Sequence, residues 1–190
     1  MIELNFSNMM TEVLGEKGIS ERQLEALRDR IGKAHREISE RRWEELAFMD
    51  FVSQDISEIR EMAQWAKRNF QNFLVLGIGG SALGPRAIIE ALSPFHNLSK
   101  SPRVFICDNA DPRTLGNVLS LCDITKSVAN VITKSGSTAE TMAGFMVIWG
   151  ALWNALGDNA KDRILAITDP EKGNLRTIAR EKGFRTLSIP

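Results

Sequence analysis

Two short segments of this 190-residue chain concentrate the residue types that handle anions. The first is Leu76-Gly77-Ile78-Gly79-Gly80-Ser81-Ala82-Leu83-Gly84-Pro85, with three glycines and a serine inside 77–81. Glycine lets the backbone turn sharply and lets N–H groups come close to an anion, and a helix that follows adds partial positive charge at its start. The second is Thr133-Lys134-Ser135-Gly136-Ser137-Thr138-Ala139-Glu140-Thr141, with four hydroxyls and a glycine in its first six positions. Ser137 and Glu140 have capping-box spacing, so some of this pattern serves helix initiation. A cap needs one hydroxyl, however, and Thr133, Ser135 and Thr138 remain. Hydroxyls beside free N–H groups at a positive helix end suit the several acceptor oxygens of a phosphate. Glu140 is the only carboxylate in either loop and is assigned to capping and support rather than to chemistry.

Two readings compete for the first loop. Gly77, Gly79 and Ala82 fit G-x-G-x-x-A, and Asp108 could accept from a ribose hydroxyl, as in a dinucleotide site. That reading leaves the hydroxyl-rich second loop without a task, whereas one phosphate held between both loops uses all of these residues.

The rest of the composition excludes other chemistries. There is no Tyr, which removes any tyrosine acid or base. The two Cys, Cys107 and Cys122, fit no paired zinc spacing and suit a reducing compartment, so neither a metal nor another cofactor is expected. His35 lies among helical charges and reads as a surface residue, as does the run Glu37–Glu45. Lys+Arg and Asp+Glu balance at 24 each, which gives no overall electrostatic case for nucleic acid or an anionic membrane. The longest apolar stretch, Met142–Trp153, is short of the roughly 18 residues of a membrane span, and the N-terminus has no signal-peptide pattern. A cytoplasmic protein is expected.

The elements that must position these loops are legible in the chain. Residues 20–70 are helical in pattern: a capping box at Ser20–Gln23 opens an amphipathic helix reaching about Phe48, and a second covers 54–69. From residue 72 short β-branched runs (72–78, 103–108, 127–133, 163–168, 184–189) alternate with helices near 84–92, 112–121, 138–156 and 174–182. Asp111-Pro112 and Asp169-Pro170 read as helix starts. The helix 138–156 is apolar nearly all round and is expected to be central and buried. Strands alternating with helices predict an α/β fold, a five-stranded parallel sheet between helical layers (1–70 a helical extension, 71–190 the α/β domain). In strand order 2-1-3-4-5 the loops after the first and third strands meet at the switch point, where ligands bind.

Together these motifs resemble a known family. LGIGGSALGP (76–85) closely resembles the signature of the glucose-6-phosphate isomerase family, and TKSGSTAET (133–141) resembles its phosphate loop, within the wider sugar isomerase (SIS) superfamily. VFICDNADPRTL (104–115), with Asn109 and Asp111, fits the same family. The resemblance implies a three-layer SIS domain, a cytoplasmic enzyme of glycolysis and gluconeogenesis, and glucose 6-phosphate and fructose 6-phosphate as substrates. It implies that Gly80 and Ser81 contact the sugar phosphate. Thr133, Ser135 and Thr138 would hold the phosphate by hydroxyls, with N–H groups from Lys134, Ser135, Gly136 and Ser137. Thr133 stands where many relatives have serine, and Gly136-Ser137 is a bacterial-looking variant; neither threatens phosphate binding. Family members are longer, with two SIS domains, and carry their base glutamate, ring-opening histidine and late lysine beyond this region. The chain is therefore expected to be the N-terminal part of such an enzyme, with no catalytic residue of its own, inactive alone, and homodimeric at full length. The alternatives are a complete small SIS-type sugar-phosphate isomerase and a non-catalytic phosphosugar-sensing module.

Overall fold

The computed structural model describes residues 3–45, 47–93 and 101–189, with the side chains of 42–47, 49 and 50 outside that description. The chain forms two compact units, one ending at Gln54 and one beginning at Asp55. In the first, the short helix α1 (Thr11–Leu14) is followed by the long helix α2 (Glu21–Glu45) and a 3-10 segment over Ala47–Ser53. The expected capping box opens α2: the Ser20 N–H donates to Gln23 Oε1 at 2.8 Å, and the Gln23 N–H to Ser20 Oγ at 3.3 Å. His35 is exposed on α2, and the side chains of the run 37–45 are described only as far as Arg41.

The second unit begins with α3 (Ser57–Asn69), so the boundary lies at 54–55 and not at 70–71. The reason is packing, since Ala66 and Phe70 are buried against Val128, with Trp65 and Phe73 beside them. The elements β1 (Asn72–Leu76), α4 (Gly80–Leu92), β2 (Arg103–Cys107), α5 (Pro112–Leu121), β3 (Ser127–Thr133), α6 (Ala139–Leu156), β4 (Ile164–Thr168), α7 (Asn174–Lys182) and β5 (Arg185–Ser188) follow. All strand pairs are parallel and the order is β2-β1-β3-β4-β5, the predicted doubly wound arrangement.

Alternation along each strand divides the sheet into two faces. Leu74, Leu76, Ala129, Val131, Ile164 and Ala166 pack with residues of α5, α6 and α7 on one face, while Phe73 and Val128 meet α3 on the other. Burial of strands from both sides explains their near-continuous apolar character.

Three local expectations change. Helix α6 is buried along Thr141, Gly144, Phe145, Ile148 and Leu152 only; Met146 and Trp153 are 62% and 45% exposed, because a single face of the helix meets the sheet. Helix α4 begins at Gly80 rather than near 84, since Gly79 turns the chain at φ 57° and puts Gly80 and Ser81 in the first helical turn. Asp111 caps α5 as expected, accepting from the Thr114 N–H at 2.9 Å with Pro112 at the first position. Asp169-Pro170, by contrast, starts no helix. Asp169 instead accepts from the N–H groups of Glu171 and Lys172, both at 2.8 Å, and α7 opens only after Gly173.

Candidate functional site

The site forms where β1 and β3 end side by side. Leu76 pairs with Val131, so the chain leaving β1 runs directly past the last residues of β3. Gly77 is required there: a Cβ on it would lie 2.8 Å from Ser81 Cβ and 3.2 Å from the Ile132 carbonyl oxygen. The backbone then turns at Gly79, and N–H groups of Ala82 and Leu83 donate to the Gly79 carbonyl at 3.0 and 2.8 Å to start α4. The Ser81 N–H donates to the Ile78 carbonyl at 3.1 Å, so the first turn of α4 closes on its own loop, at the same end of the sheet as the second loop.

In the second loop the hydroxyls bind to one another. Thr133 Oγ1 lies 3.0 Å from Thr138 Oγ1 and 3.3 Å from Ser135 Oγ, and the latter two are 3.4 Å apart, with either oxygen of each pair able to donate. Thr133 is buried, Thr138 half-buried and Ser135 exposed, so the triangle runs from the sheet to the surface. Hydroxyl protons rotate freely, and three adjacent hydroxyls can all turn toward an acceptor-rich ligand. The predicted capping box of Ser137 and Glu140 is not made. Thr138 occupies the N-cap without a side-chain bond to the helix, Glu140 is exposed, and Ser137 Oγ faces the Ser135 carbonyl at 3.5 Å. The hydroxyls go to the cluster, which leaves the first-turn N–H groups of α6 open to a ligand. Gly136 and Ser137 already donate their N–H groups within the loop, to the Thr133 carbonyl at 3.2 Å and to Ser135 Oγ at 3.3 Å.

The two loops open into one cavity of about 470 Å³ lined by Ile78, Ser81, Ile132, Thr133, Lys134, Ser135, Thr138, Thr141 and Asp169. That volume lies within the roughly 300–1,000 Å³ of small-molecule sites. Gly80, Gly136 and Ser137 stand in the same loops without lining the cavity. Among the described residues no group of His, Cys, Asp and Glu is arranged to hold a metal, and no helix is long and apolar enough to cross a membrane.

The sequence reading missed a third wall, the turn after β4. Thr168 pairs in register with Thr133, which brings Asp169 to the cavity rim. The Leu175 N–H donates to the Gly136 carbonyl at 2.9 Å, and Gly173 lies so close that a Cβ on it would be 2.4 Å from the Ser135 carbonyl oxygen. Buried Arg176 holds this turn from behind, its Nε donating to the Asp169 carbonyl at 2.7 Å. Bonds from the N–H groups of Glu171 and Lys172 hold the Asp169 carboxyl below its usual range, so it is an anion at neutral pH. The Asp-Pro pair masked this role, because it reads as a helix start. Thr141 was likewise passed over. It is buried under the cavity, and its hydroxyl has no hydrogen-bond partner.

Asp108, the acceptor that a dinucleotide reading needs, is taken. Its Oδ2 accepts from Arg86 at 2.7 Å, tying β2 to α4.

The family profile described as phosphoglucose isomerase matches residues 36–181. The chain belongs to the phosphoglucose isomerase family. Among its curated relatives, the glucose-6-phosphate isomerase of Carboxydothermus hydrogenoformans is 34% identical over 199 residues, an alignment covering 100% of this chain and 43% of that protein. That of Rubrobacter xylanophilus is 50% identical over 124 residues, 63% of this chain and 29% of that protein. The chain thus spans less than half the length of these relatives. Among solved structures, a hypothetical protein from Thermus thermophilus is 32% identical, with a TM-score of 0.74 over 89% of this chain and 40% of that one. A glucose-6-phosphate isomerase of Chlamydia trachomatis, 24% identical, shares the fold, with a TM-score of 0.59 over 70% of this chain and 24% of that one.

Proposed function

We propose that this chain is the phosphosugar-binding segment of a glucose-6-phosphate isomerase, the SIS-domain part of a cytoplasmic, homodimeric enzyme that interconverts glucose 6-phosphate and fructose 6-phosphate. The observation that carries the reading is the convergence of Ser81 with the Thr133–Ser135–Thr138 hydroxyl triangle on one cavity, in a member of this family. In this reading the three hydroxyls and Ser81 hold the phosphate, joined by N–H groups at the start of α6 and by the Lys134 cation. Gly80 lets the backbone approach the sugar, and Gly136 and Ser137 shape the loop. Asp169, an anion on the rim, repels the phosphate from its own side and leaves that side to sugar hydroxyls, which can donate to it.

Proton transfer between C1 and C2 requires a base within hydrogen-bond reach of the substrate carbon. Glu140 is exposed on the first turn of α6 and does not line the cavity, and the Asp169 carboxylate on the rim is held by two N–H groups that weaken it as a base, so the base is assigned to another part of the enzyme. Residues 1–190 should therefore bind without turnover. Titration of the ¹⁵N-labelled chain with glucose 6-phosphate should shift amides of 80–82 and 133–141 with a millimolar Kd, about −4 kcal/mol. Glucose should leave them unmoved. Ser135→Ala and Thr138→Ala should each weaken binding by roughly 1.5–3 kcal/mol, the value of a hydrogen bond to a charged group. Equal shifts with glucose, or isomerase turnover near 1 s⁻¹ in a coupled assay, the low end of the enzyme range, would overturn the proposal.

A further inference from the structure

We infer that a second cleft, at the opposite pole of the same sheet, binds a small oxyanion, a carboxylate or phosphate group held between Arg163 and Arg185. Arg163 immediately precedes β4 and Arg185 opens β5. Arg185 pairs in register with Leu165, two residues beyond Arg163. Both side chains therefore leave the same face of adjacent strands, from backbones about 8 Å apart given the usual strand spacing and rise.

Each guanidinium is fixed on an aromatic ring. Arg163 Cζ lies 5.0 Å from the centre of the Phe70 ring, and Arg185 Cζ 4.5 Å from that of Trp65. The two rings meet edge to face at 5.0 Å, so the four side chains form one linked cluster. A guanidinium lying on a ring keeps its in-plane N–H donors free, and those donors match an oxyanion in bidentate geometry. Among the described residues neither arginine forms an ion pair with a carboxylate. The cluster opens on a cleft of about 480 Å³, lined also by Asn69, Leu156, Asn159 and Asp162. Both arginines bring positive charge to one cleft, and a bound anion offsets their mutual repulsion. Asp162 sits in the wall without pairing to either arginine and opposes the anion. The strand β4 separates this cleft from the hydroxyl loop by about 16 Å, at roughly 3.3 Å per residue, so the two sites bind independently.

The test follows the Trp65 indole N–H and the Nε–H signals of Arg163 and Arg185 in the whole chain, with inorganic phosphate and acetate as separate probes. Either probe should give saturable shifts with a Kd in the millimolar range, and sodium chloride at matched ionic strength should not. The probe that shifts these signals identifies the group recognised. Arg185→Gln, at an exposed position that a folded protein tolerates, should weaken binding at least about tenfold, as should Arg163→Gln. Asp162→Asn should tighten it a few-fold, and Thr138→Ala should leave it unchanged while weakening the hydroxyl-loop site. Shifts that chloride reproduces, no saturation with either probe, or full binding in Arg185→Gln would overturn the inference whatever happens at the hydroxyl loop.

Discussion

Gly173→Ala is the sharpest probe of how the site is held, because Gly173 is outside both the 77–85 and the 133–141 loops. Its backbone sits at φ 92°, ψ 155°, a region that only glycine occupies without strain. Strain of that kind costs of order 1–3 kcal/mol. The new methyl would also lie 2.4 Å from the Ser135 carbonyl oxygen and 2.8 Å from Gly136 Cα. Both contacts are backbone, so no side-chain rotation relieves them, and overpacking adds about 1–3 kcal/mol. The expected total is roughly 2–6 kcal/mol, a large share of a typical domain stability of 5–15 kcal/mol. Urea denaturation should show the midpoint falling by at least about 1 M at an ordinary slope near 2 kcal/mol/M. Phosphate affinity should fall with it, since the easiest relief is to push Ser135 and Gly136 away and open the hydroxyl triangle. Gly79→Ala separates the two contributions: φ is 57° there, but nothing lies within 4 Å of the new methyl, so only strain contributes. Gly173→Ala must therefore cost more than Gly79→Ala. A Gly173→Ala protein with parental midpoint and parental phosphate affinity would refute the close approach of the turn after β4.

Other outcomes follow from the same structure. Gly116→Ala lies on the exposed face of α5 with open space around the new methyl and should stabilise the protein by about 0.5–1 kcal/mol in urea melts. Burial, chiefly, raises the Cys107 thiol to about 11; at pH 8 about one molecule in a thousand carries the thiolate, and disulfide-exchange reagents should label Cys107 only after unfolding. Bonds from the Thr114 hydroxyl and N–H hold the Asp111 carboxyl below its ordinary value of 3.8. Because the folded value is the lower one, the cap stabilises above pH 3.8 and its contribution disappears as pH falls through the folded value; Asp111→Asn should flatten the thermal stability curve below about pH 4.

The element order, the parallel doubly wound sheet and the two glycine- and hydroxyl-rich loops are legible in the sequence, because each of these is local or periodic. Burial of the strands on both faces writes continuous apolar runs, and glycine at 77 and 79 answers to close approach and to positive φ within a few residues. Hydroxyls at 133, 135 and 138 were visible as a surplus over what a helix cap needs. Tertiary structure decided everything that depended on neighbours distant in the chain. It left the Ser137–Glu140 capping box unmade and gathered the hydroxyls of Thr133, Ser135 and Thr138 into a cluster, and it made Asp169-Pro170 a turn at the cavity rim. It gave the Asp108 carboxylate to Arg86, and it exposed one side of an apolar helix that composition alone would bury. For the three polar cases the physical reason is shared: a polar side chain near a helix end has several partners of similar strength within reach, and a difference of about 1 kcal/mol in net hydrogen-bond energy selects among them. Sequence spacing enumerates those partners, and packing of the adjoining strand, turn or helix chooses one.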